Sequence, residues 1–162
     1  MIVCFLQPIF LDIYVKAVLN AREKPTKGLS ESFVPLFARM SHEDLHSTVI
    51  PSSVKMLKRN PEIVLESVGI LLSSVDLDLS KYAMEILSVI LPQARHAEDR
   101  RRVDALSIVR CLSQKSSNPD AFESMFNAIK AVLGGLTFSS CQGIHRFPYT
   151  VHDTLRVKIF SH

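Results

Sequence analysis

The five residues His42-Glu43-Asp44-Leu45-His46 match the H-E-x-x-H pattern letter for letter. On a helix, that spacing sets two imidazoles on one face and a glutamate beside them. Such a set can hold zinc and activate a bound water for peptide hydrolysis. Glu62 or Glu66 would be the candidate third ligand. The position of the motif argues against that chemistry. Ser41 precedes it as a helix cap, so the letters fall in an exposed polar turn and not in mid-helix against a cleft. The expected reading is a solvated helix start with no metal and no cofactor.

A second set of residues could bind anions. Arg95, His96, Arg100, Arg101, Arg102 and Arg110 form a basic run. At 100° per residue, Arg100, Ser107, Arg110 and Gln114 share an arc of roughly 80°. Ala105, Ile108, Val109 and Leu112 point the other way. Lys55, Lys58 and Arg59 form another basic cluster at a helix end, where cations also favour the helix dipole. These eight Arg and Lys positions are the candidate partner-binding face, for RNA or an acidic protein. The competing reading is an ordinary solvated surface. No phosphate-cradling glycine loop and no G-x-S-x-G elbow occur. No enzymatic activity is expected.

The elements that position these residues follow from composition and spacing. The chain has 162 residues, 47% of them hydrophobic, only five glycines and a net charge of +3. Leu, Ile, Val and Ala dominate, which favours helices. Cys4, Cys111 and Cys141 are scattered without a CxxC pair, which suits a reducing compartment better than a disulfide scaffold. The apolar opening "MIVCFLQPIFLDIYVKAVL" has no leading Lys or Arg and is interrupted by Asp12 and Lys16. It reads as a buried first helix, with Ile9, Phe10, Ile13, Tyr14, Ala17 and Val18 on one stripe.

Further helices are expected from about 30 to 40 with Ser30 as cap, from Ser41 to Arg59 with a kink at Pro51, and from Asn60 to about 73. The next run from about 79 to 91, over "AEDRRRVDALSIVRCLSQ", and from Asn118 to a stop at Gly134-Gly135. "NPEIVLESV" at Asn60 and "NPDAFESMF" at Asn118 open alike. Ser41, Asp78 and Asn118 are 37 and 40 residues apart, and Asn60 and Ala97 are 37 apart. That period suits antiparallel helix pairs of the HEAT/armadillo-like α-solenoid class. A plain all-α bundle is the alternative. The array occupies residues 1–135. Residues 136–162 form a divergent tail, either poorly ordered or carrying a short strand at "TLRVKIF".

Three stretches carry a family resemblance. They are "FLDIYVKAVLNAREKPTKGLSESFVPLFARMSHEDL", "PSSVKMLKRNPEIVLESVGILLSSVDLDLSKYAMEIL" and "NAIKAVLGG", with "LDLSKYAM" the most diagnostic. Over roughly residues 5–135 the chain resembles the N-terminal HEAT-repeat region of the translational activator of general amino-acid control. The resemblance implies a cytoplasmic, non-enzymatic scaffold on translating ribosomes. Its full-length members relay starvation signals to the kinase that phosphorylates the α subunit of initiation factor two. The partners implied are the ribosome and that kinase pathway, with no membrane and no small-molecule substrate. The pattern is not continued after Gly135, so the chain is expected to be a truncated product. A generic helical-repeat adaptor is the alternative function. Because the first helix is strongly apolar and the tail is no obvious cap, self-association is expected.

Overall fold

Helix starts are set by short polar side chains and by proline, and the chain places one or the other before most of its helices. In the computed structural model, residues 2–133 are described, with side chains from Leu6 to Val132. All regular structure among them is helical. Gly134-Gly135 and the tail at 136–162 lie outside the described residues.

Helix α1 (Ile2–Tyr14) runs directly into a π-helical turn, Val15–Leu19, closed by the Asn20 N–H donating to the Val15 carbonyl at 2.8 Å. Of the six stripe residues only Tyr14 and Val18 are buried, and Ala17 is exposed with Ile9, Phe10 and Ile13. Leu11, Tyr14, Val18 and Leu19 face inward, whereas Leu6, Ile9, Phe10 and Ile13 are 43–55% exposed. The expectation of a fully buried first helix is therefore corrected. Its π turn packs on later helices, while no described element covers the other flank.

The expected helix at 30–40 is two short ones, α2 (Lys27–Glu31) and α3 (Val34–Phe37). Pro35 has no N–H to continue a ladder from Glu31, so the helix breaks there. Thr26, not Ser30, caps α2, its hydroxyl accepting from the Leu29 N–H at 3.3 Å. Ser30 is buried inside α2 and shares a 2.9 Å hydrogen bond with Ser67.

Helix α4 (His42–Asp44) opens with a complete capping box. The Ser41 hydroxyl accepts from the Asp44 N–H at 3.1 Å, and the Asp44 carboxylate accepts from the Ser41 N–H at 3.3 Å. The kink expected from Pro51 takes the form of a π turn, Leu45–Val49, before α5 (Ile50–Arg59). The wider turn lets Ile50 donate to Leu45 and carries the chain past the missing proline donor. Asn60 makes no side-chain cap to α6 (Pro61–Ser74). Pro61 at the first turn starts that helix instead.

After a loop come α7 (Ala83–Ile90), a 3₁₀ turn at Gln93–Arg95, α8 (Asp99–Lys115) and α9 (Pro119–Leu133). Tyr82, Ala83, Ile86, Leu87 and Ile90 are buried, as their spacing predicts. So are Ala105, Ile108, Val109 and Leu112 on α8. The Asn118 side chain caps α9, accepting from Asp120 at 2.9 Å and Ala121 at 3.3 Å.

The packing alternates between two rows. Helices α5, α7 and α9 follow one another, with the π turn after α1 set against α5. Helices α2 and α3 pack on α6, and α6 packs on α8. Crosswise, α5 meets α6 and α7 meets α8. This arrangement is consistent with a helical solenoid. One continuous apolar core runs from Leu11 to Ile129.

Near its start, the Tyr14 ring stands edge-on to Phe33 and Phe37, with centroids 5.2 and 4.8 Å away. The Tyr14 hydroxyl is buried with no hydrogen-bond partner among the described residues, and burial pushes its pKa well above the usual phenol range. An orphaned buried hydroxyl costs stability, whereas the ring packing does not depend on it. Tyr14→Phe is expected to raise unfolding stability by about 1 kcal/mol. Urea titration of the two proteins checks this, and a destabilised variant would mean the hydroxyl is bonded.

Candidate functional site

Two antiparallel rows place every connection from a first-row helix to a second-row helix on one edge. These are residues 20–26, residue 60 and residues 91–98. The edge is charged. Lys24 pairs with Glu66 at 2.8 Å, and Arg100 pairs with the same carboxylate at 3.1 Å. Arg101 pairs with Glu62 at 3.0 Å and contacts His96 Nε2 at 2.9 Å. Arg102 pairs with Asp99 and donates to the carbonyls of His96 at 2.9 Å and Ala97 at 2.7 Å.

Three arginines in the first turn of α8 oppose the positive end of its dipole. The carboxylates explain how the helix tolerates them. Glu66 is held below the usual carboxylate range by Lys24 first, and also by Arg100. Asp104, one turn on, moves the other way, because burial and then the Glu66 charge disfavour its ionised form. Burial likewise pushes up the Cys111 thiol.

The eight cations expected to form one basic face are not gathered on one. Arg100, Arg101 and Arg102 tie the stack together, and the Arg101 side chain is only 17% exposed. Lys58, Arg59 and Arg95 are exposed on the same edge and form no ion pair among the described residues. Lys55 is exposed one turn earlier on α5. Arg110 sits in the other row, mid-α8, on the exposed face with Val103, Ser107 and Gln114.

The opposite edge holds a polar tie with little sequence signature. The Asp78 carboxylate accepts from the Ser80 N–H at 2.9 Å, the Ser80 hydroxyl at 2.6 Å, the Ser117 N–H at 3.3 Å and the Ser117 hydroxyl at 2.6 Å. The Asn118 N–H donates to the Ser80 hydroxyl at 3.1 Å. Lys115 donates to the carbonyls of Leu72 at 2.9 Å and Ser73 at 2.7 Å, and also to Val75, closing the end of α6. A shallow cleft of about 360 Å³ lies beside this tie. Of its lining groups, Asp78 and Ser117 bind each other and Lys115 is held by backbone carbonyls of α6.

The H-E-x-x-H letters fare no better as a metal site. His42 and His46 are exposed, and the His46 ring lies tilted beside Tyr82 with centroids 5.9 Å apart. Glu62 follows the far end of the α4–α5 run, about 25 Å away by helical rise. Glu62 and Glu66 are already paired with cations. No group of three or more metal-ligating side chains occurs among the described residues. Among those residues, no helix is long and apolar enough to cross a membrane.

The described residues form an all-helical stack, consistent with a helical solenoid, whose polar groups join helix to helix. Comparison with known proteins gives the family. The chain belongs to the stalled ribosome sensor GCN1 N-terminal family, whose model matches residues 7–139. It is 63% identical to Protein ILITYHIA of Arabidopsis thaliana over 127 residues, which is 78% of this chain and 5% of that protein. It is 37% identical over 125 residues to the stalled ribosome sensor GCN1 of Homo sapiens, and 36% identical to that of Mus musculus. Each match covers 77% of this chain and 5% of the mammalian protein. The chain thus spans about one twentieth of the length of these relatives. No solved structure matches it.

Two outcomes follow. The Asp78 carboxylate lies well below its ordinary value of 3.8 because of its Ser117 and Ser80 donors. Its stabilisation is therefore present above that value and lost as pH falls through the folded-state value. Asp78→Ala is expected to cost about 1 kcal/mol at neutral pH, a modest figure because the carboxylate stays in water. The wild type's advantage over the variant should shrink in melts below about pH 4. Metal analysis of the purified protein is expected to give well under one zinc per chain, with no change in His42→Ala. Stoichiometric zinc lost in that variant would restore the metal reading.

Proposed function

We propose that this chain is a non-enzymatic scaffold module built of HEAT-type helix pairs, acting in the cytoplasm on ribosomes. The module would belong to the machinery that activates the initiation-factor-two-alpha kinase in amino-acid starvation and translational stress. The observation that carries this reading is the family match over residues 7–139, together with relatives whose names describe sensors of stalled ribosomes. The repeat assignment is supported by four long-range side-chain bonds, among a set whose separations run from 32 to 43 residues. Gln7–Asp44 and Ser30–Ser67 join residues 37 apart, and Glu62–Arg101 and Asp78–Ser117 join residues 39 apart. These are the separations expected of equivalent positions in successive units.

A scaffold of this kind works by contact, so its working parts are exposed groups that the fold does not consume. On the charged edge, Lys58, Arg59 and Arg95 meet that description. Lys55 and Arg110 extend the candidate surface on the two rows. Arg100, Arg101 and Arg102 contribute indirectly, by holding the edge in register. An rRNA or acidic ribosomal-protein surface is the fitting partner, because cations on successive turns match a line of phosphates or carboxylates.

Co-sedimentation with ribosomes at graded salt tests the proposal. Binding should weaken roughly tenfold between 50 and 200 mM salt, as expected for a few phosphate contacts. The triple change Lys58→Glu, Arg59→Glu, Arg95→Glu should abolish retention while the helical signal is unchanged. Retention that ignores both salt and this variant would discard the charged-edge mode. Absence of retention at low salt would favour a generic protein-interaction adaptor.

A further inference from the structure

We propose that Arg22, Arg59 and Arg95 form a ladder, one arginine per helix pair, that grips the phosphate backbone of duplex RNA without reading its bases. The inference rests on the ribosome-scaffold reading above and names the chemistry that its charged edge takes. The three arginines are 37 and 36 residues apart. Those intervals are close to the 37 residues between Ser30 and Ser67, which bond across neighbouring units. The arginines therefore hold equivalent places in successive units. Arg22 lies in the first connection of the charged edge, Arg59 ends α5 just before the second, and Arg95 closes the 3₁₀ turn in the third. All three are exposed and form no ion pair among the described residues. Arg22 stands apart from the basic clusters of the sequence, and only the fold brings it into line with the other two.

The edge holds the three rungs side by side. Lys24 and Arg100 meet on the Glu66 carboxylate, and Arg101 reaches Glu62, so the connections are clasped together. In the first row, the π turn after α1 packs on α5, and α5 packs on α7. Neighbouring packed helices lie about 8–10 Å apart, which makes the ladder on the order of 20 Å long. A line of that length crosses one groove of a duplex and reaches phosphates on both strands.

The surroundings favour a nucleic-acid backbone over a protein surface. None of the exposed large apolar side chains lies in the connections, and Leu29 and Val103, a few residues into α2 and α8, stand singly. A protein partner needs an apolar or aromatic anchor to bury, whereas a phosphate backbone needs charge and donors. A guanidinium supplies both, as a planar fork that meets phosphate through two N–H groups. The connections hold no Phe, Tyr or Trp on which a base could stack, which favours a duplex over a single strand. The charge balance agrees. Glu62, Glu66 and Asp99 are already paired with edge cations. Glu23 and Glu98 are exposed there without an ion pair, against Arg22, Lys58, Arg59 and Arg95, and Asp104, one turn along α8, is partly buried.

Fluorescence anisotropy of a labelled RNA duplex of about 20 base pairs and arbitrary sequence, titrated with the full chain at graded salt, tests the inference. Micromolar binding at about 50 mM salt is expected, with log K falling against log salt at a slope of about −3, near one per arginine. Arg22→Gln, Arg59→Gln and Arg95→Gln should each flatten that slope by about one and weaken binding several-fold, with the far-UV spectrum unchanged. Arg22→Lys keeps the charge and should keep the slope. Lys81→Gln, which removes an exposed cation on the opposite edge, should change neither quantity. Absence of binding at low salt overturns the proposal. So does an Arg22→Gln chain that binds like the wild type, or polyglutamate that competes as well as RNA does. The assay contains no ribosome. Failure to bind the duplex with ribosome retention intact therefore removes the ladder alone, and duplex binding without ribosome retention removes the scaffold reading alone.

Discussion

The governing constraint is that an antiparallel pair of helices exposes more apolar surface than it can cover by folding on itself. Helix α6 shows why. Val64, Leu65, Ser67, Val68, Leu71 and Leu72 are all buried, an arc of about 160° at 100° per residue. Around that face lie α5 beside it, α2 and α3 before it and α8 after it. Apolar burial has no directional preference and would tolerate sliding. Offset is fixed by polar groups that must find partners. Ser30 with Ser67 inside, and Asp78 with Ser117 at the edge, meet only when neighbouring pairs are staggered correctly. A slip of one residue would leave the buried serines unsatisfied, at the cost of a lost hydrogen bond in a dry environment.

This division of labour uses several charged groups as fastenings between helices. Glu66 is shared by Lys24 and Arg100, and Arg102 straps the 91–98 connection to the first turn of α8. Cations left over, such as Arg59 and Arg95, sit where one row turns into the other. Their placement follows from topology. Because every such turn lies on one edge, charges far apart in sequence become neighbours along a line.

Much of this was legible in the sequence where a local rule decides the outcome. The Ser41 capping box, Pro61 at a helix start, the Asn118 cap and the inward stripes of α7 and α8 depend on residues within a turn or two. The failures share one cause. Spacing marks a stripe on α1 but cannot tell which side will have a neighbour, so Ile9, Phe10 and Ile13 were assigned inward and stand outward. Ser30 has the composition of a cap, and its real partner lies 37 residues away. Asn60 precedes Pro61 as a capping residue should, yet its backbone, at φ −139° and ψ 64°, leaves the side chain without a cap bond. The arginines of α8 looked like one basic face because sequence shows charge and hides pairing. Glu62 and Glu66 were noted only as metal ligands, although their i, i+4 spacing opposite Arg100 and Arg101 was the available signal for an interhelix clamp.

The two edges are also fastened by different physics. On one, the Arg100–Glu66 contact has an arginine side chain 64% exposed, so water and salt compete with it directly. On the other, Asp78 accepts hydroxyl and N–H donors, and Lys115 is bound to consecutive carbonyls at the end of α6. Bonds of that kind involve fixed backbone groups and depend much less on ionic strength. Rising salt therefore loosens the charged edge before the polar one.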